Sequence, residues 1–322
     1  MGFYTDSIEN TKGTKMVINT KDIKKHQTGP ILDNIFYTID SGNRYSDAVK
    51  KFTKMGILTE LKNNDLIVEI PLEKPETIKI QNLLESPECK KCKLPIVMGV
   101  DVFGNTVVKD LQNIPHLLVT GRTGSGKTVF LKNIYESLTH HLPASDCKFL
   151  IIDTKKYDFN NFNGKKNLFM PVVSDVDKAI RALDFVTEII DERYVVLKKQ
   201  KSINMAEYNK KFSGMPYLIV MIDELADLMC VNKRMTEAFI QYIAQKGLTV
   251  GVHLVVATQK TEKEFLSDLI MANIPNIISF QTRDKKQSLR ILGDSGAELL
   301  LPYGDMLYSE LGQPLLRIHT GI

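Results

Sequence analysis

Gly121-Arg122-Thr123-Gly124-Ser125-Gly126-Lys127-Thr128 constrains this chain more than any other stretch, because it satisfies the pattern G-x-x-x-x-G-K-[ST] at every fixed position. The pattern carries a structural demand: a buried strand must lead into it and a helix must lead out. His116-Leu117-Leu118-Val119-Thr120 supplies a short apolar strand, and Val129 to Leu142 carries Phe130, Leu131, Ile134 and Leu138 at helical spacing. The glycines let backbone N–H groups turn inward around an anion with no Cβ in the way. The helix start adds the positive end of its dipole. Lys127 then reaches the β- and γ-phosphates, and the Thr128 hydroxyl is a ligand for Mg2+. All eight residues are expected to bind a nucleoside triphosphate, with ATP and Mg2+ as the occupants.

The sequence after the loop continues the same architecture. Phe149-Leu150-Ile151-Ile152-Asp153, Tyr217 to Glu224, Val252 to Gln259 and Ile277-Ile278-Ser279-Phe280 are apolar runs without alternation. Helical patterns separate them, one with Ser174 as its expected cap and Val176, Ile180, Leu183, Ile190 and Val195 on adjoining turns. Such runs predict an α/β fold with a largely parallel sheet and helices on both faces. Ligands then bind beyond the carboxyl ends of the strands.

Residues 1 to about 95 read differently. They are polar and lysine-rich at first, with a short helix expected over Tyr45 to Phe52 and strands over Leu66 to Leu72 and Thr77 to Ile80. A turn-rich basic stretch, Glu85 to Pro95, marks the expected boundary. The expected division is a small α+β domain over 1–95 and an ATPase motor domain over 96–322.

The 322 residues are 43% hydrophobic and 25% charged, ordinary for a soluble protein, and a net charge of +4 permits nucleic-acid binding through local patches without requiring it. No apolar run of about 18 residues occurs, and the first residues lack the basic-then-apolar layout of a secretory leader. The expectation is a cytoplasmic chain with no membrane segment and reduced thiols. Cys89-Lys90-Lys91-Cys92 is a CxxC, but Cys147 and Cys230 are isolated and give a structural zinc site no second pair.

The chemistry that follows a phosphate loop is also legible. Asp223-Glu224 ends an apolar strand, so Asp223, with Thr128, would hold Mg2+ while Glu224 positions or deprotonates water. Gln259, at the end of the next strand, either senses the γ-phosphate or faces solvent. The catalytic set is therefore Lys127, Asp223, Glu224 and Gln259. Asp153-Thr154-Lys155 leaves the same edge, with no role readable from residue types. Two basic loops are candidate duplex-DNA contacts: Lys260 with Lys263, and Arg283, Lys285 and Lys286 continuing to Arg290. Each alone reads as a solvated turn. Together, leaving one sheet edge, they would track phosphates without reading bases.

These strings resemble the FtsK/SpoIIIE family of DNA translocases. Pro115 to Val119, Ile222 to Leu228, Gly251 to Gln259, Ala272-Asn273-Ile274-Pro275 and Gly304-Asp305-Met306-Leu307-Tyr308 occur in family order, and Met98-Gly99-Val100-Asp101 with Gly104 is similar to the family's core start. The resemblance implies a P-loop NTPase of RecA-like fold over roughly 96–320, with the preceding unit as the small α-domain. It implies a homo-oligomeric motor, usually hexameric, that pulls double-stranded DNA through a channel. Lys260 falls where the family has an arginine of its first DNA loop. Lys285 falls on a basic position of the second, and Leu289 stands at another, beside Arg290. Leu248 stands where the family has a finger arginine that reaches the neighbouring subunit's nucleotide, with Lys246 as the nearby cation. The family's membrane segments and C-terminal winged helix have no counterpart among these residues.

Overall fold

The structure, a computed structural model, describes residues 77–321 apart from 115 and 213, together with the backbone of six strands within residues 1–76. The chain forms two compact units, Met1–Ile78 with Val100–Asn105, and Lys79–Gly99 with Thr106–Ile322. In the smaller unit β1 (Ser7–Glu9) pairs antiparallel with β2 (Lys15–Val17). Strands β3 (Ile23–Thr28), β4 (Leu32–Thr38), β5 (Leu58–Lys62) and β6 (Asp65–Pro71) form an antiparallel sheet in the order β3-β4-β6-β5. The strand expected from Leu66 is β6, whereas the helix expected over Tyr45 to Phe52 lies outside the described residues. What is described of this unit is β-structure.

The larger unit opens with α1 (Ile80–Leu84). A strand was expected over Thr77 to Ile80, but the four-residue spacing of Ile80 and Leu84 prevails and buries both beside Cys89 and Val97. The Cys89 thiol is therefore a packing group, and burial raises its pKa.

The remaining elements are β7 (Pro95–Asp101), β8 (Thr106–Asp110), β9 (Leu117–Thr120), α2 (Lys127–His141), β10 (Cys147–Ile152), α3 (Val176–Lys199), α4 (Met205–Lys211) and β11 (Tyr217–Ile222). They are followed by α5 (Leu225–Lys246), β12 (Val252–Thr258), α6 (Asp268–Asn273), β13 (Asn276–Phe280), α7 (Lys285–Leu292), β14 (Asp305–Ser309) and β15 (Leu316–His319). The nine strands form one sheet in the order β10-β11-β12-β9-β13-β14-β15-β7-β8. Strands β10 to β13 run parallel through this order, and β14 and β15 extend the sheet antiparallel.

Successive strand residues enter opposite cores. Leu117, Val119, Ile151, Met221, Val255 and Ala257 pack with Phe130, Ile134 and Leu138 of α2. Leu118, Ile152, Val220, Ile222, Leu254 and Val256 pack with Leu183 and Ile190 of α3 and Ile240 and Ile243 of α5. Both faces are covered, which is why the strands carry uninterrupted apolar runs. Helix α3 is capped by Asp175 rather than Ser174: the Asp175 carboxylate accepts from Lys178 N at 2.9 Å. Val195 falls off the buried stripe, 67% exposed. Among the described residues, no helix is long and apolar enough to cross a membrane.

Candidate active site

The order β11-β12-β9 brings the carboxyl ends carrying Asp223, Gln259 and the phosphate loop side by side, with Asp153 on the next strand. Gly126 caps α2 at φ +118°, and a Cβ there would lie 2.9 Å from Gly304 N, so only glycine lets the loop close against Gly304. The Lys127 ammonium donates to Gly121 O at 2.7 Å and Arg122 O at 3.0 Å. Burial lowers its pKa to about 8, opposed by Glu224. Ser125 Oγ is buried and has no hydrogen-bond partner among the described residues. Thr123, Gly124, Gly126, Lys127 and Thr128 line a cavity of about 560 Å3, which Lys155, Gln259 and Tyr303 also line.

Asp223 and Glu224 are 2% and 5% exposed. Burial raises the Asp223 pKa against the pull of Lys155. Glu224 is held in place: Thr258 Oγ1 donates to its Oε1 at 2.7 Å, and Gln259 N donates at 3.2 Å. The Gln259 side chain accepts from Thr123 Oγ1 at 2.6 Å, so it faces the phosphate loop and not bulk solvent. Lys155 is the residue that sequence reasoning left without a role. Its Nζ lies 3.0 Å from Asp223 Oδ2 and 3.7 Å from Glu224 Oε2. Burial opposes its charge, but Asp223 and then Glu224 outweigh that and raise its pKa. Asp153 builds the turn that delivers it, accepting from Asp158 N and Phe159 N, each at 3.0 Å. The signal available was a third polar turn on the active edge; its folding around Asp153 was not readable.

The residues fit a divalent cation. Asp223 is a buried carboxylate, and with the Thr128 hydroxyl in the same site it presents the hard oxygen donors such a cation takes.

The basic loops flank the phosphate loop, which lies between β12 and β13. Arg122 N donates to Gln281 O at 2.9 Å, tying the loop to the end of β13 as Thr123 ties it to Gln259. Lys260, Arg283, Lys285 and Lys286 are exposed. Lys263 is paired with Asp268 at 2.7 Å. Arg290 does not join the exposed group: its guanidinium donates to Thr261 O and Leu266 O, both at 2.6 Å, and pairs with Asp268 at 3.3 Å. It braces the first basic loop against α7. Leu248 is 40% exposed on the turn between α5 and β12, and Lys246 Nζ donates to Tyr242 OH at 3.0 Å.

A parallel sheet with a glycine cradle, a buried lysine and a held acid pair at its carboxyl edge defines a phosphate-loop ATPase. The family model described as FtsK/SpoIIIE family matches residues 80–263, and the chain belongs to that family. The DNA translocase FtsK of Haemophilus influenzae is 36% identical over 78% of this chain and 54% of its own length. That of Caulobacter vibrioides is 34% identical over 80% of this chain and 36% of its own. This chain thus spans about a third to a half of those relatives. The solved monomer form of the pCW3 conjugation coupling protein TcpA with ATPγS superposes with a TM-score of 0.67 at 22% identity, covering 97% of this chain and 90% of that one. The type VII secretion ATPase EccC of Thermomonospora curvata gives 0.67 at 20% identity, over 76% of this chain and 32% of that one. At these identities the likeness shows the fold.

Proposed function

We propose that this chain is an ATP-driven motor that moves double-stranded DNA with little sequence preference, working in the cytoplasm as a homo-oligomer that becomes a hexamer on DNA. One observation carries the proposal: four exposed cations, Lys260, Arg283, Lys285 and Lys286, leave two strands whose ends are hydrogen-bonded to the phosphate loop. Changes at the γ-phosphate then reach both basic loops through Gln259 and Gln281.

In this reading the loop amides and Lys127 hold the β- and γ-phosphates, and Ser125 Oγ adds a donor. Thr128 and Asp223 would hold Mg2+, which when bound would supply charge neutralisation at the transferring phosphoryl group. Glu224 orients and deprotonates the attacking water, its carboxylate fixed by Thr258 and Gln259 N. Lys155 offsets part of the charge of the acid pair, mainly at Asp223. The test is binding to unrelated duplexes of equal length. Equal affinities that fall with salt support the motor, and the absence of any duplex binding refutes it.

The second reading is a catalytically weak, nucleotide-dependent assembly or coupling module that recruits a protein partner. Leu248 favours it, since leucine cannot supply the charge of a finger arginine.

A further inference from the structure

The cavity is lined by two kinds of group. Lys127, Lys155 and Gln259 are charged or polar groups suited to phosphate, whereas Val129 and Tyr303 offer apolar and aromatic surface to the same space. We infer that Tyr303 is the residue that stacks on the nucleobase, with Val129 as the second apolar contact; the inference rests on the nucleotide site described above.

Two independent features support it. Val129 and Tyr303 line the cavity yet are left 37% and 75% exposed, and a flat aromatic ligand would cover both. Tyr303 also sits at φ +63°, a left-handed conformation unusual for a bulky residue. Such strain persists where the surroundings over-determine it, and here they do. Gly304 N donates to Ser125 O at 2.9 Å, and Thr320 N donates to Gly304 O at 2.9 Å. Asp305 accepts from Leu301 N at 2.8 Å and is itself held by Arg317 at 3.0 Å. The turn is therefore fixed to the phosphate loop from one side and to β15 from the other. Its product is an aromatic residue whose backbone is tied, through Gly304, to the phosphate cradle, and its ring lines the same cavity.

A base-free polyphosphate separates the two kinds of group. Binding of ADP and of sodium tripolyphosphate is measured by calorimetry for the unmodified chain and for Tyr303→Ala, Tyr303→Gly and Tyr303→Phe. Glycine suits the left-handed backbone and guards against misfolding. The expected result is a loss of ADP affinity of about tenfold or more in the Ala and Gly variants, unchanged tripolyphosphate affinity, and recovery with Phe. The chain has no tryptophan, so Tyr303→Trp introduces a single reporter; its emission should respond to ADP and not to tripolyphosphate. Wild-type ADP affinity in the Ala and Gly variants, or equal loss for both ligands, overturns the stacking role while leaving the nucleotide site intact. Failure of the unmodified chain to bind either ligand overturns the site and the inference together.

Discussion

Glu224 is held more firmly than any acid that merely ends a strand. A carboxylate that accepts from Thr258 Oγ1 and Gln259 N while 5% exposed has one orientation, and that orientation is what water activation needs. Glu224→Gln should keep ATP affinity and slow the chemical step by about 10² or more, read in single-turnover experiments with ATP in excess of its Kd. Thr258→Val removes the holding hydroxyl without touching phosphate, so turnover should fall about tenfold at unchanged affinity, with Thr258→Ser restoring it. Equal turnover in Thr258→Val would show that the backbone N–H alone positions the acid. At this scale the loop and the acid pair were legible because their residue types and spacing dictate chemistry. Lys155 and Tyr303 were not, because each owes its place to a turn folded by hydrogen bonds to a carboxylate two residues away, Asp153 or Asp305, and that folding is not written in residue types.

The strands were readable because each is buried on both faces, which forces apolar residues at every position. Charge was a poorer guide. Arg290 has the right residue type and neighbourhood for touching DNA, yet three acceptors engage its guanidinium. This gives a contrast between two kinds of basic residue in adjacent elements. Replacing Lys260, Lys285 and Lys286 with Ala should lower duplex affinity and flatten its salt dependence by about 0.9 in log–log slope for each DNA phosphate no longer neutralised, at unchanged melting temperature. Arg290→Ala should instead lower the melting temperature, because Thr261 O and Leu266 O lose their donor. Filter binding across a salt series, paired with thermal melts, separates the two outcomes. The Ser174 cap and the strand at Thr77 failed for a local reason: a one-residue shift in capping and an i, i+4 apolar pair are not distinguishable from composition alone.

Among the described residues, two of the buried histidines, His116 and His319, set an acid limit for the molecule. His116 accepts from Leu254 N through Nδ1 and lies 2.9 Å from Ala244 O through Nε2, so the fold holds the neutral ring. Burial lowers the pKa values of His116 and His319 to about 4. Between pH 4 and 6.5 the unfolded chain binds protons that the folded chain refuses, so stability falls as pH drops through that window and is fully present above it. Each histidine contributes about 3 kcal/mol of that loss, and urea midpoints at pH 7 and pH 5 for the unmodified chain and His116→Gln should show a smaller drop in the variant. In the proposed motor, assembly turns on Leu248. With leucine at the finger position, basal hydrolysis should be slow and oligomers weak without DNA, and Leu248→Arg should raise DNA-stimulated turnover; light scattering with and without duplex reads the assembly. The central claim is that the basic loops and the phosphate loop work as one device. Steady-state ATP turnover with and without duplex DNA, in the unmodified chain and in a variant with Lys260, Arg283, Lys285 and Lys286 all replaced by Ala, tests it most directly. The account predicts stimulation by DNA that disappears in the variant while basal turnover is kept; turnover indifferent to DNA in both proteins would contradict it.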